Sequence, residues 1–255
     1  MEEPVRLSLV LPCYNGGRYI ARSLRTLFGY LEAHAMTLGP SEVHLVDDGS
    51  GDDTTAAATA TGLPFRLVRH KHNRGKGAAV QSGMREARGR VRIFMDADLP
   101  FGLDVIPRMC RLIETAGADV CIGSRTDRGT VYRIARPAQR SLASWMFAHF
   151  VVWRLVPGLG DTQCGIKGFR AAAADYLFRE SRVAGFAFDV ELLYLARKNA
   201  FVIETVPVEI VSDAPSTLRM GRDGLIMLGE VLRLPVRFHR GGYRMCEGRP
   251  SSVAP

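Results

Sequence analysis

Apolar residues fall along this chain in two rhythms. Short runs with a β-branched bias, Leu7–Leu11, Val43–Val46, Phe65–Val68, Val91–Met95 and Asp119–Ile122, read as strands. Between them apolar positions recur at helical spacing, as in Ile20, Leu24, Leu27, Phe28 and Leu31. Pro12 and the pair Gly16-Gly17 stop the first run and open a tight loop. Asp52, Asp53 and Thr54 offer N-caps to a short alanine-rich helix, and Asn73-Arg74-Gly75-Lys76-Gly77-Ala78-Ala79 opens the next. Strands that are apolar on both faces, alternating with helices, predict an α/β fold with a mainly parallel sheet covered on both sides. No internal repeat or low-complexity segment interrupts the pattern.

The second half follows a different pattern. Five arginines (125, 128, 133, 136 and 140) and a single acid, Asp127, lead into an aromatic-rich helix from Trp145 to Trp153. His149 and Arg154 leave that helix too short and too polar to span a bilayer; a basic approach to a Trp- and Phe-bearing helix suits a membrane interface, the alternative being a core helix or one packed on a partner chain. Asp161–Phe169 mixes turn residues with polar groups and does not read as a plain core strand. Phe186–Ala196 reads as a helix with Asp189 and Glu191 in its first turn, where carboxylates suit the helix dipole. Phe201–Val211 alternates like an edge strand. Leu225–Phe238 is apolar and flanked by Arg219, Arg222, Arg233, Arg237 and Arg240, and a disordered tail is expected over 243–255.

Composition changes this picture in two places. The net charge of +8 is uneven: residues 1–124 hold 15 Lys and Arg against 14 Asp and Glu, whereas residues 125–255 hold 19 against 12. A basic second half fits an anionic membrane, a phosphorylated substrate or nucleic acid. The 5 cysteines are odd in number and lack Cys-x-x-Cys spacing, which argues against a disulfide framework or zinc site and for a reducing compartment. The acidic Met1-Glu2-Glu3-Pro4 leads straight into a strand, so no signal peptide is expected. The 255 residues are expected to form one unit over 1–242.

The chemistry gathers at Asp96-Ala97-Asp98, where a buried strand ends in two carboxylates. The carboxyl edge of such a sheet is where ligands bind, and two close carboxylates call for a positive charge between them. Mg²⁺ or a similar hard cation, bound by one or two carboxylates plus phosphates, supplies it. Gly75-Lys76-Gly77 falls short of a dinucleotide fingerprint, which argues against a dehydrogenase. A nucleic-acid binder would leave the acidic clusters without a role.

These motifs, in this order, resemble the inverting family 2 glycosyltransferases of GT-A (Rossmann-like) fold, and among them the dolichyl-phosphate glucosyltransferase and mannose synthase branch. The resemblance covers roughly residues 5–235 and rests on Pro12-x-Tyr14-Asn15, Val46-Asp47-Asp48-Gly49-Ser50, Asn73-x-Gly75-Lys76-Gly77, Asp96-Ala97-Asp98, Gly123-Ser124-Arg125, Asp161-Thr162-Gln163-Cys164-Gly165-x-Lys167 and Phe188-Asp189-Val190-Glu191. It implies transfer of a hexose from a UDP-glucose- or GDP-mannose-type donor to a polyprenyl phosphate, with Mg²⁺ or Mn²⁺ held by Asp96 and Asp98. Transfer to a soluble or glycan hydroxyl is the alternative. Pro12, Tyr14, Asn15, Val46, Asp47, Asp48, Lys76, Asp96 and Ala97, within a nucleotide-sugar half, 5–124, would surround the donor together with Arg125.

Residues 125–242 would face acceptor and membrane, with Arg133, Arg136, Arg140, Gln163 and Arg219 on the acceptor. Asp98 and Asp189 would be catalytic, Asp189 as a base for a hydroxyl or as an orienting group for a phosphate. The implied location is peripheral, on the cytoplasmic face of a membrane. The chain departs from the family pattern at Gly16, where Glu is usual, at Pro100 in place of Gln, and at Ala214-Pro215-Ser216-Thr217, where Arg219 would replace a late lysine.

Overall fold

A computed structural model describes residues 4–134, 155–212 and 222–246. Arg136, Arg140, Arg219, the Trp145–Trp153 segment and Ala214–Thr217 lie outside the described residues.

The apolar runs form the expected strands: β1 (Leu7–Cys13), β2 (Ser41–Asp47), β3 (Arg66–Arg69), β4 (Val91–Met95) and β5 (Val120–Ser124). With β7 (Ile166–Arg170) and β8 (Ile203–Pro207) they make a seven-stranded sheet in the order β3-β2-β1-β4-β7-β5-β8. All neighbouring pairs are parallel except those of β7, which runs antiparallel between β4 and β5. A parallel two-stranded ribbon, β6 (Val131–Tyr132) with β9 (Glu209–Ile210), lies apart from it.

Alternate side chains of the sheet feed two cores. Leu9, Leu11, Ile93 and Met95 pack on one face with α1 (Ile20–Ala33) and α5 (Val105–Thr115). Val10, Val46, Phe94 and Ile122 pack on the other with α4 (Lys76–Glu86), α6 (Ala171–Glu180) and α7 (Phe188–Lys198). The short α2 (Ala35–Leu38) and α3 (Thr54–Thr59) fill connections. Burial on both faces is why β1, β2, β4 and β5 read as unbroken apolar runs, whereas β3 at the sheet's edge is largely exposed.

Three features depart from the sequence reading. Ile166–Arg170 is a buried central strand, not a turn-rich segment, because Lys167 is wholly buried and the glycines around it hide the apolar rhythm. The predicted edge strand is confirmed at β8, but the run breaks after Pro207 and its remainder joins β6. Tyr243, expected in a disordered tail, is buried and donates to Glu191 Oε1 at 2.6 Å, while the Arg244 N–H donates to Glu180. This segment follows α8 (Arg222–His239), which packs on α7 through Phe238 against Tyr194. Val231 and Leu234 of α8 are buried, whereas Ile226, Leu232 and Val236 are exposed. Among the described residues no helix is long and apolar enough to cross a membrane.

Candidate active site

Strand order reverses between β1 and β4, and the loops after these two strands flank the point where open α/β sheets bind ligands. The β1 loop is stitched to the β2 loop. The N–H groups of Asn15, Gly16 and Gly17 donate to Ser50 Oγ, Thr54 Oγ1 and Asp52 Oδ2, and Gly51 N–H donates back to Asn15 Oδ1. Asn15 takes a left-handed backbone (φ 52°), which asparagine tolerates. Pro12 is half-buried, and Tyr14 is left 44% exposed at the loop's tip, open to stacking.

The acidic pair after β2 is committed inward. Asp47 accepts from Ser50 N–H at 2.9 Å and Thr55 Oγ1 at 2.7 Å, and pairs with Arg69 at 3.2 Å. Burial alone would raise its carboxyl, but these donors hold it below the usual range. Asp48 accepts from the N–H groups of Arg74 and Gly75 and bonds His70 Nδ1 at 2.6 Å; His70 Nε2 lies 2.9 Å from Ser82 Oγ. Asp48 therefore folds the loop that presents Lys76. Gly75 there has φ 99°, and a Cβ on it would meet the Ala184 carbonyl at 2.5 Å, so its reason is structural. Of the expected donor residues, the side chains of Val46, Asp47 and Asp48 are buried.

The pair after β4 is arranged differently. Asp96 Oδ1 meets Lys76 Nζ at 2.5 Å, and no other side chain is bonded to either Asp96 or Asp98 among the described residues. Burial and the neighbouring charge of Asp96 raise the Asp98 carboxyl, with Lys76 opposing. Burial works against the Lys76 ammonium, but the charges of Asp96, Asp189 and Asp98 outweigh it and raise its pKa. Gly165 makes room for this geometry: a Cβ there would sit 1.9 Å from Asp96 Oδ2.

The donor set fits a hard divalent cation. It offers oxygens only, with a lysine ammonium already standing where positive charge is needed. Among the described residues no third acidic, His or Cys side chain completes a cage, so such an ion would rely on ligands from a phosphate.

Asp189, in the first turn of α7, is buried and accepts from Lys167 Nζ at 2.5 Å. Burial raises its carboxyl, and the charges of Lys167 and Lys76 oppose the rise. The charges of Asp96, Lys76 and Asp189 thus act on one another in one cleft. Arg125 reaches Asp161 with Nε at 2.7 Å and a terminal nitrogen at 2.8 Å; burial would raise Asp161, but Arg125 holds it down. Arg125 stays 43% exposed, and its other terminal nitrogen makes no hydrogen bond among the described residues. Gln163 is exposed and donates to Met227 of α8 at 3.0 Å. Arg133 is exposed and paired with Glu209, so its charge is already partly offset.

Lys167 was not among the sequence-derived site residues. The signal was available in the last position of the Asp161–Lys167 motif, but a lysine reads as surface unless the strand around it is recognised.

The sequence profile of glycosyl transferase family 2 matches residues 8–178, two thirds of the chain. The chain belongs to that family. This glycosyltransferase is 32% identical over 265 residues to the dolichyl-phosphate beta-glucosyltransferase of Mus musculus, covering 97% of this chain and 80% of the relative. It is 29% identical over 262 residues to that of Saccharomyces cerevisiae, covering 95% and 78%. The glycosyltransferase fold is shared with glucosyl-3-phosphoglycerate synthase of Mycobacterium tuberculosis, solved with Mn²⁺, UDP-glucose and phosphoglyceric acid (TM-score 0.65, 18% identity, 90% of this chain and 79% of that one). The mainly parallel sheet flanked by helices is therefore the GT-A fold.

Proposed function

We propose that this family 2 glycosyltransferase moves a hexose, with inversion, from a nucleotide sugar to a polyprenyl phosphate, in a divalent-metal-dependent reaction. The observation that carries the reading is the Asp96 and Asp98 pair at the strand-order reversal, two carboxylates whose one side-chain partner among the described residues is Lys76, on Asp96. The acceptor class is supported by relatives named as dolichyl-phosphate beta-glucosyltransferases, which also favour glucose. A UDP donor and a Mn²⁺ ion are supported by the fold neighbour that holds both.

Bound at Asp96 and Asp98, the ion supplies Lewis-acid stabilisation of the departing nucleoside diphosphate. Lys76 adds a second positive charge beside the same oxygens, and Tyr14 and Asn15 lie toward the nucleoside. A phosphate monoester has a second pKa near about 6 and is already a nucleophile at neutral pH. Asp189 therefore orients the acceptor rather than removing a proton from it. Arg125 is positioned by Asp161 to neutralise phosphate, and Arg133, Arg136, Arg140, Gln163 and Arg219 are assigned to the acceptor side. The protein works as a peripheral enzyme on the cytoplasmic face of a membrane, held by the basic second half and the aromatic 145–153 segment.

The test is a transfer screen with UDP- and GDP-sugars, with and without a polyprenyl phosphate, in Mn²⁺ or EDTA. Glucose transfer from UDP-glucose that needs both lipid phosphate and metal is the expected result. Equal turnover on a free sugar without the lipid overturns the acceptor assignment and makes Asp189 the base. Full turnover in EDTA overturns the metal.

A further inference from the structure

A lysine in the middle of a central strand is costly, since taking an ammonium out of water costs several kcal/mol even after relaxation. Lys167 is nevertheless wholly buried, between β4 and β5. Its Nζ donates to Asp189 Oδ1 at 2.5 Å and to the Cys164 carbonyl at 2.9 Å, and lies 5.5 Å from the centre of the Phe94 ring. An apolar side chain of similar volume would serve the core as well or better, because buried ion pairs often add nothing to stability. The position of Asp189 gives the lysine a different use. Asp189 Oδ1 is tied to Lys167, while Oδ2 takes no hydrogen bond among the described residues. The open oxygen belongs to the carboxylate whose charge acts on Lys76, which in turn holds Asp96.

We infer that Lys167 is a positioning residue for the transfer reaction: it clamps one oxygen of Asp189 so that the other is presented, in one fixed rotamer, to the acceptor. The inference rests on the reading that Asp189 lies at the reaction centre. Lys167 acts through Asp189 and touches neither substrate, so its loss misplaces one carboxylate while leaving the donor loops intact. The groups that face Asp189 from the packed elements are Lys167 of β7, Lys76 of α4 and Asp96 after β4. With Lys167 gone, burial and Asp96 act against Lys76 alone, and the carboxylate protonates at higher pH.

The experiment compares Lys167→Met, Asp189→Asn and the double variant in kcat, in UDP affinity with Mn²⁺, and in the pH profile of kcat. Lys167→Met is expected to lower kcat by about a hundredfold, the scale of a misplaced catalytic group. UDP affinity should stay within about twofold, and the acidic limb of the profile should move to higher pH. Adding Lys167→Met to Asp189→Asn should cost no more than about a further twofold, because a residue acting only through Asp189 has nothing left to position.

Should Lys167→Met alone fail to fold, the double variant, which buries no charge, still gives the deciding comparison with Asp189→Asn. A large further loss in that comparison overturns the inference, as does a Lys167→Met enzyme with wild-type kcat and pH profile. If Asp189→Asn itself retains activity, the placement of Asp189 in the proposed function fails instead.

Discussion

Two acidic pairs follow parallel strands at the same edge of the sheet, and they do opposite things. Asp47 and Asp48 close β2 with their oxygens taken by backbone N–H groups, a hydroxyl, a histidine and an arginine. Asp96 and Asp98 close β4 with a single lysine, Lys76, paired to Asp96 among the described residues. In sequence both are strand-terminal carboxylates of the same family resemblance. What separates them is how many donors the surrounding loops supply. A saturated carboxylate organises backbone, and an unsaturated one keeps its demand for positive charge and can meet it with a ligand.

Removing charge from each pair tests that difference most strongly. Asp96→Asn or Asp98→Asn should cut transfer by about a hundredfold or more, the scale of losing a key electrostatic stabiliser. For Asp98→Asn the melting temperature should hold or rise, because burial and Asp96 make ionised Asp98 unfavourable in the fold, whereas Asp96→Asn should lower it by removing the partner of Lys76. A fall in melting temperature with activity retained would make this pair structural.

Asp48→Asn should do the reverse. An amide cannot accept from Arg74, Gly75 and His70 together, and the expected loss is about 1–3 kcal/mol of stability. At about 2–4 °C per kcal/mol for a chain of this size, differential scanning fluorimetry resolves it. Transfer per folded molecule should fall far less than in Asp98→Asn.

A smaller effect distinguishes the pairs by pH. The Asp47 carboxyl is held low in the fold, so its contribution is present above the unfolded value of about 3.9 and is lost as pH falls through its lowered folded pKa. The Asp98 carboxyl is raised, so its contribution is complete below about 3.9 and is lost as pH rises through the raised folded pKa. Stability measured against pH should therefore lose a falling component on the neutral side in Asp98→Asn and an acid-side component in Asp47→Asn. Identical profiles for the two variants would erase the distinction.

The same contrast explains what the sequence disclosed. β1, β2 and β4 were legible because their apolar runs are buried on both faces, and the clefts after them because Pro, Gly and Asp stop strands for local reasons. The saturation of Asp47 and Asp48 was not legible, since it depends on Arg69, His70 and the Arg74-Gly75 turn some 20 or more residues downstream. β7 was hidden because Lys167, in the middle of the strand, breaks the apolar rhythm that reveals strands. Arg133 had the composition of a phosphate contact, but Glu209, 76 positions away, pairs with it in the fold. Glu191 read as a dipole-favoured acid in a first turn. In the fold it accepts from Ser181, Arg182, Val183 and Tyr243, and so ties Tyr243 to the loop beside Gly75.

The central claim, that positive charge is owed at Asp96 and Asp98 and not at Asp47 and Asp48, is tested most directly by titrating Mn²⁺ in the presence of UDP, followed by the electron paramagnetic resonance signal of free Mn²⁺. The wild type and folded Asp48→Asn should each take up a single equivalent, and Asp98→Asn should take up none over the same range. Undiminished Mn²⁺ uptake by Asp98→Asn, or its loss in folded Asp48→Asn alone, would contradict the account.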